Sequence, residues 1–412
     1  MEIRSLHPQE LPAYWAAVSQ GFRAGPREVA VWAKLLDSDP DYHPSNTRVC
    51  LVQGNIVSGA HTVARQMFVA GRLVPVGGVA SVFTIPSHRG RGYVTALLRD
   101  TCCWLRSRGF KLALLTTHIP EFYSRLGWQS IPRREEVWKL LPGPFPKQVP
   151  VRTFDKSRDL SHVMQLYENT RPKPTGLVTR TREFWKANLW YGEEAASFLV
   201  AYGPAGAAAY ARGGQSGLQD SLGRAAQAFT IREGAFLDGQ EHTVDHLLCH
   251  LANLCLMRRL DKLVCAVPPS MLPRSALRRV ATAEQVRLNP DHMVRIIDWP
   301  GLLDCLRPDL VSRVVETKAV GPISFSLSMR EREVEGLATD QSARISLDDG
   351  KLNLERATAP LDLKLTPRQA AALIFGGWEE VASGFDVEPR IREIMRLLFP
   401  PQDFYHWSQG HY

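Results

Sequence analysis

What this 412-residue chain lacks narrows it first. Its opening residues, Met1-Glu2-Ile3-Arg4, lead into no apolar core of the kind a secretory leader carries. No uninterrupted apolar run approaches the roughly 20 residues that cross a bilayer, so no membrane partner is expected. The cysteines are seven, an odd number, with no CxxC pair, and the neighbours Cys102 and Cys103 are poorly placed to bridge each other. That pattern speaks against a disulfide framework and for reduced thiols in a cytoplasmic protein. Lysine and arginine exceed aspartate and glutamate by 50 to 42, a net charge of +8, yet no basic block stands out. With no paired Cys/His finger spacing either, no nucleic-acid partner is expected. A dispersed basic surface is one consequence of the charge; a cavity that attracts a polyanion is the other. Low-complexity tracts and short-period repeats are also missing.

What is present is the composition of a globular protein, 44% apolar and 22% charged, in a chain long enough for two or three cores. Up to about Leu140, helical patterns (Pro12 to Phe22, Glu28 to Leu36) give way to strand-like runs at Thr47 to Val52, Ile56 to Val63 and Leu73 to Ile85. Between Leu141 and Pro150 four of ten residues are proline, which marks a linker. Beyond it, helices and strands alternate again to about residue 297. Past Pro300 a strand meander is expected, with Asp349-Gly350 as its hairpin turn, then two helices. The expected fold class is α+β, in units of 1–143, 150–297 and 300–412.

The residues most informative about chemistry run from Val82 to Arg99. A strand ends at Pro86, a basic loop with Gly90 and Gly92 turns, and Val94, Leu97, Leu98, Cys102 and Leu105 then recur at helical spacing. A diphosphate needs several N–H donors converging without side chains in the way, and the first turn of a helix supplies them. Glycines let the backbone approach, while Arg89 and Arg91 can add charge. A glycine loop alone is equally a tight strand-to-helix turn. Some thirty residues on stands Phe122-Tyr123-Ser124-Arg125-Leu126-Gly127-Trp128, with a buried strand, Lys111 to Thr117, between.

Together these elements resemble the GNAT acetyltransferase pattern. Arg89-Gly90-Arg91-Gly92-Tyr93-Val94 matches Q/R-x-x-G-x-G/A except at Val94, and Phe122 to Trp128 is similar to the superfamily's aromatic-Tyr-x-x-x-Gly-aromatic element. The resemblance implies acetyl-CoA as co-substrate, with no metal. The backbone of Val82, Phe83 and Thr84 would pair with the pantetheine arm and a backbone N–H near Val82 or Phe83 would hold the oxyanion. Residues Arg89 to Val94 (Arg89, Gly90, Arg91, Gly92, Tyr93, Val94) would hold the diphosphate, and Tyr123 would donate a proton to the leaving sulfur. His118 would contact CoA or serve as base.

Over nearly the whole chain the order of units resembles the Eis (enhanced intracellular survival) family, in which two GNAT-like mixed-sheet domains precede a sterol-carrier-like α+β domain. His88-Arg89-Gly90-Arg91-Gly92 is similar to that family's His-Arg-Arg-Arg-Gly, with Gly90 in place of an arginine. The resemblance implies that only the first domain holds acetyl-CoA, that the Tyr412 carboxylate is the base, and that the acceptor is a primary amine of an aminoglycoside-like polyamine or of lysine. It also implies a homo-oligomer, often a hexamer. Acidic residues among Asp37 to Asp41 would favour a polycation, though a solvated loop is the weightier reading there. Two rivals stand beside it. One is a metal site on His242, His246 and His250, weaker than a plain surface stripe. The other is a non-catalytic protein whose third domain holds a lipid or other apolar ligand.

Overall fold

In the computed structural model, three sheets organise the chain, and the residues described are 1–146, 150–188, 197–219, 225–317, 322–330, 340–348, 351–356 and 362–406. The first sheet has the order β1 (Glu2–Ser5), β2 (Thr47–Val52), β3 (Asn55–Val69), β4 (Arg72–Thr84), β5 (Leu112–Thr116), β14 (His292–Ile296), β6 (Gln129–Ser130). The second runs β13 (Ala281–Asn289), β7 (Arg133–Leu140), β12 (Lys262–Cys265), β11 (Ala225–Phe236), β10 (Gly206–Gln219), β9 (Leu199–Gly203), β8 (Val151–Thr153). Two strands therefore cross the proline-rich linker. β7, which precedes it in sequence, pairs with β12 and β13, whereas β14, at the end of the second stretch, lies between β5 and β6. Each of the first two sheets is completed by a strand from the other's stretch of chain.

Local pattern explains the helices that cover these sheets. In α1 (Leu11–Phe22), Tyr14, Ala17, Val18 and Gly21 are buried, and α2 (Pro26–Asp37) follows it. In α3 (Tyr93–Ser107) the buried set is Leu97, Leu98, Thr101, Cys102 and Leu105, one stripe at i, i+1, i+4, i+5 and i+8. It packs on β2, β3 and β4. The short α4 (Pro120–Ser124) carries Tyr123. Helices α5 (Lys156–Asn169), α6 (Arg182–Asn188), α7 (Glu241–Met257) and α8 (Arg274–Val280) belong to the second unit.

The third sheet has the order β17 (Lys351–Arg356), β16 (Asp340–Asp348), β15 (Ile323–Arg330), β18 (Leu363–Leu365). Alternate side chains Phe325, Leu327, Met329, Ile345, Leu347 and Leu354 are buried, and α9 (Trp299–Thr317) wedges them against the first sheet's Val76, Leu112, Leu114 and Val294. The expected turn at Asp349-Gly350 lies outside the described residues; the pair Asp348↔Lys351 brackets it. Pro308 inside α9 hid that helix from the periodicity. α10 (Pro367–Gly376) opens on a capping box of Thr366 and Gln369, and α11 (Pro389–Leu398) precedes the tail.

Candidate active site

The site begins with a sheet that opens. Strands β4 and β5 pair in parallel only at Val76↔Leu112, Gly77↔Ala113 and Gly78↔Leu114. Gly77 is required there, because a Cβ would collide with Leu105 of α3. Three residues further along β4, Ser81 sits at a left-handed φ of 47°, and the pairing with β3 slips between Gly59 and His61. This bulge turns β4 away from β5. Beyond Gly78 the β5-facing edge of β4 is unpaired and borders a cleft of about 430 Å³, lined by Val79 to Val82 on one side and Leu115 to Ile119 on the other. A second hollow of about 420 Å³ continues it along Val82 to Thr84 and His88 to Val94; the two share Phe22, Val82, Ile119 and Tyr123.

The floor of the second hollow is the loop and first turn of α3. Gly90 and Gly92 have φ of 74° and 78°, a left-handed conformation that L side chains rarely adopt. At either residue a Cβ would project into open space, so the backbone is approachable from the hollow. Gly92 is the N-cap, and its carbonyl accepts the N–H of Ala96 at 3.0 Å, so the N–H groups of the turn before Ala96 have no partner within the helix. These donors and the positive end of the helix dipole suit an anion. Arg89 also lines this hollow. Its guanidinium donates to the carbonyls of Thr84 (3.1 Å) and Gly21 (2.6 Å), fastening the loop to the end of β4 and to α1. Arg91 stays exposed, and Val94 packs partly into the core beneath α3.

Tyr123 lines both hollows and is nearly buried, its ring edge-on to Phe122 (5.0 Å) and Trp128 (6.3 Å). Burial pushes its phenol up to about 12, so the proton stays on at neutral pH. Gly127, with φ of 85°, caps this turn, and the buried guanidinium of Arg295 would stand 3.1 Å from any Cβ. His118 lines the open side of the cleft with its side chain 90% exposed, 4.0 Å from the Asp291 carboxylate.

The acidic stretch corrects the expectation of a solvated loop. Asp37 is exposed, but Asp39 is buried and, with Asp41 (2.8 Å), pairs with the buried guanidinium of Arg65 on β3. Among the described residues no three His, Cys, Asp or Glu side chains gather as a metal-holding set, those of α7 included.

Tyr412 lies outside the described residues, as does everything after His406. The tail before it is gripped on several sides. Tyr405 donates its N–H to Thr175 and its hydroxyl to the Arg232 carbonyl (2.9 Å). His406 Nδ1 is 2.9 Å from the Gly176 carbonyl, and Arg133 donates to the His406 carbonyl. Phe404 and His406 flank His292 (ring centroids 5.9 and 5.5 Å), whose cross-strand partner is Thr116 of the cleft wall. Sequence reasoning missed His292 and His406. Both are buried; His406 is pushed down to about 4 by burial and Arg133, and His292 also falls well below the ordinary range. Nothing in a local pattern announces two histidines 114 residues apart, as their numbers give.

Residues 2–131 match the family model described as an acetyltransferase (GNAT) domain. An uncharacterized N-acetyltransferase of Streptomyces avermitilis is 30% identical over 108 residues, which are 26% of this chain and 25% of that relative. Likeness of fold reaches much further. A conserved Enterococcus faecalis protein described as a probable N-acyltransferase superposes with a TM-score of 0.72 at 16% identity, covering 98% of this chain and 99% of the other. Eis1 of Mycobacterium abscessus does so with 0.63 at 18%, covering 98% and 99%. A GCN5-related N-acetyltransferase of Anabaena variabilis gives 0.66 at 14%, covering 98% of each. The first unit thus has the GNAT-superfamily acetyltransferase fold. Over nearly its whole length the chain shares a multi-sheet α+β architecture with these proteins.

Proposed function

We propose that this protein is an acetyl-CoA-dependent N-acyltransferase acting on a primary amine. One observation carries the reading: the unpaired edge of β4, the approachable turn at Gly90 to Val94 and the buried Tyr123 all border one continuous opening. Acetyl-CoA, when bound, supplies the acyl thioester. The first turn of α3 holds its diphosphate, the edge at Val82 to Thr84 hydrogen-bonds its pantetheine arm, and a backbone N–H near Val82 or Phe83 faces the oxygen that gains negative charge. As the amine nitrogen bonds to the acyl carbon the C–S bond breaks. Tyr123 gives its proton to the sulfur, and the nitrogen loses one to a base.

The base in this reading is the Tyr412 carboxylate, with His118 next in line. Six residues follow His406, a reach of about 20 Å. What supports this choice is that His406 sits one ring away from His292, whose cross-strand partner Thr116 lines the cleft. An Eis-like assignment, a sterol-carrier-like third unit, a hexamer and a cytoplasmic location belong to the same proposal. No helix among the described residues is long and apolar enough to cross a membrane.

Transfer of acetyl from acetyl-CoA to a panel of amines tests the reading, followed by mass spectrometry of the product. The wild type should acetylate at least one amine. A form with three glycines appended after Tyr412 should keep its CoA affinity and lose most of its turnover. No product from any amine would contradict the function, and an extended form at the wild-type rate would move the base elsewhere.

A further inference from the structure

The acceptor half of the opening is short of negative charge. Among the described residues that line the two hollows there is no aspartate or glutamate. Of the nearby carboxylates, Asp39 and Asp41 are engaged by Arg65, and Asp291 stands beside His118. A polycation entering here would have Asp291 and the Tyr412 carboxylate of the proposed base for its several ammonium groups, in a chain whose net charge is already +8.

Apolar surface is what the opening does present. Phe22 and Ile119, 45% and 58% exposed, are two of the few large apolar side chains left in water, and both stand where the two hollows meet. Phe22 is backed edge-on by Trp32 at 5.6 Å, so its ring is held in place. Val79 and Leu115 continue the apolar wall inward. Exposed apolar groups at the mouth of a cleft, backed by further apolar lining, are what a ligand's apolar body covers.

We infer that the acceptor is a single amine carried on an aryl-bearing body, its ring lying on Phe22 and Ile119 and its ammonium entering past Asp291, and not a polyamine. This rests on the acyltransfer reading and narrows it. Charge and shape act together: so few carboxylates suit one ammonium, and an aromatic lip rewards a ring.

The test uses the full chain and acetyl-CoA, comparing phenylethylamine with kanamycin and spermidine by thiol release. We expect kcat/KM for phenylethylamine to exceed that for either polycation by about tenfold or more, the scale of apolar-pocket discrimination. At saturating acetyl-CoA, Phe22→Ser should lower kcat/KM for phenylethylamine, mainly through the amine KM, by a larger factor than for either polycation. Thr116→Asp adds a carboxylate to a residue that lines only the acceptor hollow, and should shift the preference toward polycations. A wild type that favours kanamycin or spermidine overturns the inference, as does a Phe22→Ser variant that slows all three amines equally. Calorimetry of CoA binding separates the two levels. No binding at all defeats the acyltransfer reading itself, whereas binding with a polycation preference defeats this inference alone.

Discussion

Tyr123 is asked to do one thing, and its surroundings suit it. A phenol raised to about 12 by burial is fully protonated at neutral pH, and its ring is fixed by Phe122 and Trp128. Removing only the hydroxyl keeps that packing. Tyr123→Phe should therefore retain CoA affinity and lose about 10²–10⁴-fold in kcat, the usual contribution of a general acid. A kcat within a factor of two of wild type, with chemistry rate-limiting, would take Tyr123 out of the proton path. Gly127 beside it shows how one residue can answer two constraints, a left-handed turn and the approach of Arg295. Only the first of these is visible in sequence.

Among the elements, β4 and the tail carry most of the design. The bulge at Ser81 is what opens the sheet, yet a serine inside a Val- and Ala-rich strand gives no sign of it. The tail's seat has a consequence for pH. An ordinary histidine titrates near 6.5, but His406 is buried and pushed down to about 4, so between these values the unfolded chain takes up a proton that the folded chain does not. Stability is thus intact above 6.5, falls as pH drops toward 4, and levels off below; the loss from His406 approaches about 3 kcal/mol. His61, also pushed down to about 4 by burial, works in the same direction. The urea midpoint should fall from pH 7 to pH 4.5. The fall should be smaller in His406→Gln, which keeps a donor for the Gly176 carbonyl. An unchanged pH dependence in that variant would refute the assignment.

For the whole molecule, the parts legible in the sequence were those written in consecutive residues. The glycine loop, the stripe of α3, the strand before it and the aromatic turn at Tyr123 each occupy a short window with its own periodicity or turn chemistry. What was not legible depends on distant partners. The exchange of β7 and β14 between sheets is fixed by pairings more than a hundred residues apart, such as Leu263 with Trp138. Asp39 and Asp41 read as a solvated loop because Arg65, which takes them up, is 24 to 26 residues on. The hydrogen bond from Arg89 to the Gly21 carbonyl is equally a matter of tertiary contact. The central claim nonetheless rests on the legible part, the approachable turn at Gly92 beside the unpaired edge of β4. Titration calorimetry with acetyl-CoA addresses it most directly, using wild type and a Gly92→Val variant shown to be folded by circular dichroism. A β-branched side chain at a φ of 78° strains the turn and fills the space the diphosphate needs. The account predicts one site per chain in the wild type and an affinity at least about tenfold weaker in the variant, a difference of about 1.4 kcal/mol. No binding by the wild type, or undiminished binding by folded Gly92→Val, would contradict it.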